Sequence, residues 1–141
     1  MKFNEVLLRI PVKPTPKARP RFTRFGRTYT PQKTADYEKA VAEAYKSQTN
    51  GFKFEANTAL CVSLLFGMPI PKSTSKANRK LMLNRSIKHI KKPDSDNLAK
   101  AVLDALNGIA WADDSQIIRL LSMKEYADEP YIQIYIHESV D

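Results

Sequence analysis

At 141 residues and 16.1 kDa the chain has room for one domain, 1–141, able to bury roughly two thirds of its unfolded surface, and none for a second. Its 43% hydrophobic and 27% charged residues describe a globular protein; the longest apolar run, Ala59 to Ile70, is broken by Ser63 and Pro69 and is too short to cross a bilayer. A net charge of +8 makes a polyanion the natural partner.

Phe3 to Ile10 mixes Val6, Leu7, Leu8 and Ile10 with polar residues and predicts a first strand. Residues 11 to 31 hold five of the nine prolines plus Gly26, which predicts an extended loop long enough to be functional. From Pro31 or Thr34 to about Ser47, Tyr37, Ala40, Val41 and Ala44 recur at helical spacing behind a capping residue. Asn57 to Met68 alternates, with Leu60, Val62, Leu64, Phe66 and Met68 on one side, so a strand with one heavily buried face is expected and Cys61 belongs to packing. Ser73 to about Arg85 predicts a basic helix with Leu81 and Met82 toward the core. Asn97 to Asn107 carries the stripe Leu98, Val102, Ala105 and Leu106, with Asp96 or Ser95 as cap and Gly108 past the end. Gln116 to Tyr126 and Tyr131 to Glu138 alternate and are joined through residues 127–130. This order, without repeat or linker, predicts an α/β (α+β) fold, a mixed β-sheet packed with helices.

Charge is unevenly spread. Residues 11–33 hold Lys13, Lys17, Arg19, Arg21, Arg24, Arg27 and Lys33; residues 69–93 hold eight more cations, among them Lys91 and Lys92, and neither stretch contains an acid. The rest of the chain is therefore net acidic. A single basic segment is usually solvated surface, but two of them, interleaved with Phe22, Phe25 and Tyr29, point to nucleic acid backbone. Lys17, Arg19, Arg21, Arg24, Arg27, Lys91 and Lys92 are the expected contacts, and would be the DNA-binding residues if the nucleic acid is DNA. Met1-Lys2-Phe3-Asn4-Glu5 puts charge where a signal peptide is apolar, so the cytoplasm is the expected location. One cysteine permits no internal disulfide and, beside His89 and His137, no thiolate zinc site; a metal would need oxygen ligands.

Against this basic background stands Asp94-Ser95-Asp96, with Lys100 one turn later and Asp113-Asp114 following the helix across a short turn. Alone, an Asp-x-Asp is more often a helix cap with a surface acid. A strand returning beside the extended stretch would bring Asp114 near Asp94 and Asp96, and three carboxylates within about 5 Å repel by about 3 kcal/mol per pair at an effective dielectric near 20. Such a cluster calls for a cation, and oxygen ligands with room for water and phosphate suit Mg²⁺ or Mn²⁺. Lys100 beside it could neutralise a phosphoryl transition state. Asp113 reads equally as an outer ligand or a turn residue, Asp104 as an ion partner of Lys100, and His89, near the cluster, as a surface residue of a short strand in preference to a nucleic-acid contact. Trp111 reads as a core plug beneath the site. Phe22 and Phe25 could wedge into an opened nucleic acid or anchor the loop.

Lys92-Pro93-Asp94-x-Asp96-Asn97-Leu98-x-Lys100, then Asp104-Ala105-Leu106-Asn107-Gly108, Asp113-Asp114-x-Gln116-Ile117 and Lys124, resembles the RusA family of Holliday junction resolvases. The resemblance extends upstream to Pro16-Lys17-x-Arg19-Pro20-Arg21, Tyr29-Thr30-Pro31 and Tyr37-Glu38, and only about 51–90 lack a sharp motif. It implies an α/β homodimer that cuts four-way DNA junctions with Mg²⁺, in recombination and repair, with metal-holding aspartates at Asp94, Asp96 and Asp114 and a catalytic lysine at Lys100. Genes of this kind are frequent in phages and prophages. The rival readings are a broader branched-DNA nuclease and a non-catalytic nucleic-acid-binding module.

Overall fold

The computed structural model describes residues 4–18, 21, 22, 24–26, 28, 29 and 31–140, with the side chains of 21, 22, 28 and 29 outside the description. In chain order the elements are β1 (Glu5–Ile10), β2 (Arg21–Phe22), β3 (Thr28–Tyr29), α1 (Gln32–Thr49), β4 (Leu60–Pro69), α2 (Lys76–Leu83), α3 (Ser95–Leu106), one 3-10 turn (Asp114–Gln116), β5 (Ile117–Ala127) and β6 (Tyr131–Glu138). Four strands form one mixed sheet in the order β1-β6-β4-β5. β6 runs antiparallel to both β1 and β4, and β4 runs parallel to β5. A parallel pair needs a crossover, and α2 and α3 supply it. The result is the single mixed domain that the alternating pattern predicts.

Alternation decides which face is covered. Leu60, Val62, Leu64, Phe66 and Met68 of β4 join Ile132, Ile134 and Ile136 of β6 beneath α1 and α3. From α3 come Leu98, Ala101, Val102 and Ala105, and from α1 Tyr37, Val41 and Tyr45. Each large aliphatic buried this way contributes about 1.5–3 kcal/mol of transfer free energy. The opposite sheet face leaves Leu7, Leu121 and Met123 exposed. On that face Gly67 of β4 stands opposite Tyr131 of β6, where a Cβ would come within 2.3 Å of the ring. The Arg9 guanidinium lies 3.6 Å from the centroid of the same ring, and Tyr131 Oη donates to Glu125 Oε1 at 2.6 Å. Glu125 in turn accepts from Arg85, so one connected row spans the sheet from β1 to the segment after α2.

Several expectations shift. The loop 11–31 contains a two-stranded antiparallel ribbon, β2 with β3, too short to leave a periodic signature. The buried stripe of α1 is Thr34, Tyr37, Val41 and Tyr45, with Ala40 on the exposed side, because the helix starts at Gln32 and the large residues win the core face. α2 is shorter than expected, is capped by Ser75, and buries none of its residues. Leu81 and Met82 do not reach the core, since the crossover is held at the rim by polar links such as Arg79 with Asp128. α3 begins at Ser95 with Asp94 as N-cap, so Asp96 lies in its first turn instead of capping it. Gly108 takes φ 79° just past the end of α3, the left-handed conformation expected there.

Candidate active site

The segment before α3 is built from backbone held by side chains. Pro93 follows a cis peptide, and Asp94, the N-cap of α3, is extended (φ −72°, ψ 146°). Sequence reasoning expects a strand to pair beside this stretch. Instead β5 pairs with β4, and the side chains of β5 reach over. Lys124 Nζ donates to the Lys91 carbonyl at 2.6 Å and to the Pro93 carbonyl at 2.9 Å, and Ser122 Oγ donates to the Ser95 carbonyl at 2.9 Å. Ser122 and Lys124 pair across from Leu64 and Phe66, whose side chains face the helices, which is why they point at the start of α3.

Asp114 is fixed by different means. The wholly buried Trp111 donates from Nε1 to Asp114 Oδ1 at 2.7 Å, so the expected core plug also orients a carboxylate. The turn is closed by a reciprocal cap: Asp113 Oδ2 accepts from the Ser115 amide, while Gln116 Oε1 accepts from the amides of Ala112 and Asp113. The hydrogen bond from Ser115 holds the Asp113 carboxyl below the usual range. Asp113 is thereby accounted for as a turn residue. Gln116 Nε2 donates onward to the carbonyls of Glu55 and Thr58 and ties the turn to the approach of β4.

These elements enclose an open cleft of about 370 Å³ lined by Asp96, Lys100 and Asp104 of α3, by Asp114, and by Leu120 and Ser122 of β5. Asp96, Lys100 and Asp104 stand one turn apart on one helix face. The structure therefore brings Asp96, Asp114 and Lys100 to one place. Asp94 does not line this cleft; its carboxylate accepts from Lys92 Nζ at 3.1 and 3.2 Å. Asp104 is partnered by Lys17, not by Lys100: Lys17 Nζ lies 3.1 Å from Asp104 Oδ2 and 2.5 Å from Glu38 Oε1. Burial alone would lower the Lys17 pKa, but hydrogen bonds to the two carboxylates outweigh it and leave it raised. The Lys17 amide also donates to the Asn97 carbonyl, so the basic loop is clamped to α3 beside the cleft.

Among the described residues, no three His, Cys, Asp or Glu side chains are grouped closely enough to hold a metal ion. The donor chemistry nevertheless fits a hard divalent cation. Three carboxylates line one open cleft with no thiolate or imidazole among the described residues; Asp104 is taken by Lys17, Asp96 and Asp114 are left for a cation, and Asp94 adjoins them through Ser95. Lys92, which engages Asp94, is 87% exposed and costs little to displace.

Of the expected DNA contacts, Lys91, Lys92 and Arg24 are exposed. Lys17 is turned inward as the clamp just described. Arg19 and Arg27, and the side chain of Arg21, lie outside the described residues, as does that of Phe22. Phe25 is 81% exposed, with the Arg24 guanidinium 5.5 Å from its ring centroid. His89 belongs to no strand; it is half-buried and packs against Tyr126 with ring centroids 4.9 Å apart. Sequence reasoning gave no positioning role to Ser122. The signal available for it was a lone small polar residue on the inward register of an otherwise apolar strand.

A family model described as endodeoxyribonuclease RusA matches residues 11–137 of the chain. The uncharacterized protein YqaN of Bacillus subtilis (strain 168) is 39% identical over 72 residues, which are 50% of this chain and 51% of that protein, so the match spans about half the relative's length.

Proposed function

The chain belongs to the RusA endodeoxyribonuclease family, and from that premise we propose that it is a Mg²⁺-dependent, structure-selective endodeoxyribonuclease that resolves four-way DNA junctions as a homodimer. The observation that carries this reading is the convergence of Asp96, Asp114 and Lys100, from the start of α3, the turn before β5 and the second turn of α3, on one solvent-open cleft.

In this reading Asp94, Asp96 and Asp114 hold Mg²⁺, with Mn²⁺ as a substitute. Bound there, the cation would polarise the scissile phosphate and lower the pKa of a water that serves as nucleophile. Trp111 keeps one Asp114 oxygen engaged and so aims the other. Ser122 and Lys124 fix the backbone from which Asp94 and Asp96 project. Lys100, exposed on the cleft wall, brings a cation to the charge that develops on the phosphoryl oxygens or the leaving oxygen. Arg19, Arg21, Arg24, Arg27, Lys91 and Lys92 neutralise backbone phosphates, whereas Lys17 acts through the loop it anchors. Two cuts in symmetry-related strands require two such clefts, which a C2 dimer supplies.

The test is cleavage of a synthetic mobile four-way junction with and without Mg²⁺, beside three-way, flap and linear duplex substrates. Paired, Mg²⁺-dependent nicks in the four-way junction are expected. Equal cutting of flaps and three-way junctions would favour the broader branched-DNA nuclease, and no Mg²⁺-dependent nicking of any substrate would leave a binding module.

A further inference from the structure

A second cleft, of about 730 Å³, opens immediately upstream of the acidic one: Pro93 lines this second cleft, Ser95 the acidic one, and Asp94 stands between them in the chain. Its rim carries the exposed cations Lys13, Lys33, Lys91 and Lys92, and among the described residues no acid lines it. Pro14, Pro16, Met68 and Tyr126 give the lining its apolar part. Tyr37 and His89 are among the lining residues, and their Tyr37 Oη and His89 Nδ1 atoms are buried with no hydrogen-bond partner among the described residues. Tyr37 is only 7% exposed. The Thr15 backbone approaches its hydroxyl without forming a well-aligned bond.

Buried polar atoms without partners are rare, and two in one cleft ask for a ligand that brings hydrogen-bonding groups to the back of it. We propose that this cleft receives one unstacked nucleotide of the strand being cut, next to the scissile phosphate, with the lysines on its phosphates, the prolines and Tyr126 against its base, and Tyr37 Oη and His89 Nδ1 on the base edge. The volume suits a mononucleotide. Burial raises the Tyr37 pKa to about 12, so its hydroxyl keeps its proton at neutral pH. Burial, aided by Lys124 and Lys91, holds the His89 pKa below the ordinary value, so the imidazole is neutral and has one donor and one acceptor nitrogen. Recognition by two directional groups makes the cut selective for the base in the cleft. This inference rests on reading the neighbouring cleft as the cutting site, yet its binding step needs no chemistry.

Two measurements separate the two ideas. The chain has two histidines, so the His89 ring proton resonances can be followed against His137 while deoxynucleoside 5′-monophosphates are titrated in, with inorganic phosphate as control. His89 should shift with nucleotides, unequally among the four bases, and His137 should not. An unmoved His89, or an equal shift with inorganic phosphate, overturns the proposal even if the protein cuts junctions. A shifted His89 in a protein that cuts nothing retains the nucleotide cleft and removes the nuclease reading. The second measurement maps cut sites on junctions randomised at the positions flanking each scissile bond. Wild type should prefer particular bases by about tenfold or more, and Tyr37→Phe and His89→Leu should flatten that preference while still cutting. Preferences unchanged in both variants would also overturn it.

Discussion

Trp111 Nε1 donates a 2.7 Å hydrogen bond to Asp114 Oδ1 from an indole that is wholly buried. A donor placed in the core and an acceptor placed in the cleft couple the packing of the domain to the orientation of a carboxylate proposed to hold the metal. Trp111→Phe keeps most of the apolar volume and removes the donor. It should raise the Mg²⁺ concentration for half-maximal cleavage by about tenfold and lower stability by about 1–3 kcal/mol. A Mg²⁺ titration of junction cleavage together with urea unfolding checks both, and an unchanged Mg²⁺ requirement would reduce Trp111 to packing.

Cutting and binding should separate. Asp94→Asn, Asp96→Asn and Asp114→Asn each remove a negative charge beside the phosphate, so cleavage should be abolished while junction binding in a gel-shift assay survives or tightens. Binding lost in all three would contradict the assignment. Lys100→Met should lose most single-turnover activity without loss of fold, and near-normal cleavage would return Lys100 to the solvated surface.

Lys17 and Arg19 should behave differently although both lie on the basic loop. Each lost phosphate contact lowers the salt slope of binding by about one unit, so Arg19→Ala and Arg21→Ala should flatten the plot of log K against log salt. Lys17→Met leaves Glu38 and Asp104 without their cation and should cost about 1 kcal/mol of stability with little change in slope. A slope that falls as far for Lys17 as for Arg19 would place Lys17 on DNA.

Acid should expose the Arg85–Glu125 link. The hydrogen bond from Arg85, helped by that from Tyr131 and opposed by burial, lowers the Glu125 pKa from its ordinary 4.5. A lowered folded value means the contribution is full above about pH 4.5 and is lost as pH falls through the folded value. Glu125→Gln should therefore unfold at lower urea than wild type at pH 7, with the gap narrowing below about pH 4.5. A gap that stays constant down to pH 3 would rule out the ion pair as its source.

Stoichiometry is testable through a mixed dimer of one wild-type and one Asp114→Asn subunit, tagged differently and purified. On a supercoiled cruciform plasmid it should give nicked circles, whereas wild type gives linear product. Linear product from verified mixed dimers, or a wild-type protein that binds the junction as a monomer, would refute paired sites.

Where one periodicity governs a segment, the sequence is readable. β4 and β6 carry large apolar residues at every second position over one buried face, and α3 follows a stripe closed by Gly108, so their positions and the placement of Asp96 and Lys100 on one face could be anticipated. The misreadings fall where distant residues decide. Asp104 looked like a partner of Lys100 because spacing reveals only neighbours on the same helix, and Lys17 arrives from another element. Leu81 and Met82 have core-like chemistry, but α2 rides outside the sheet. The grip of Ser122 and Lys124 is on backbone carbonyls, which carry no trace of residue identity along the chain.

The close approach of Gly67 to Tyr131 restricts how this chain can drift. A side chain at 67 would collide with the ring across the strand pair, and overpacking of that kind costs about 1–3 kcal/mol. Relief by shrinking residue 131 would withdraw the surface under Arg9 and the hydroxyl on Glu125. Neither position can change alone without loss, so descendants of this sequence should keep the glycine and the tyrosine together or exchange both at once, a paired inheritance set on the face of the sheet opposite the acidic cleft.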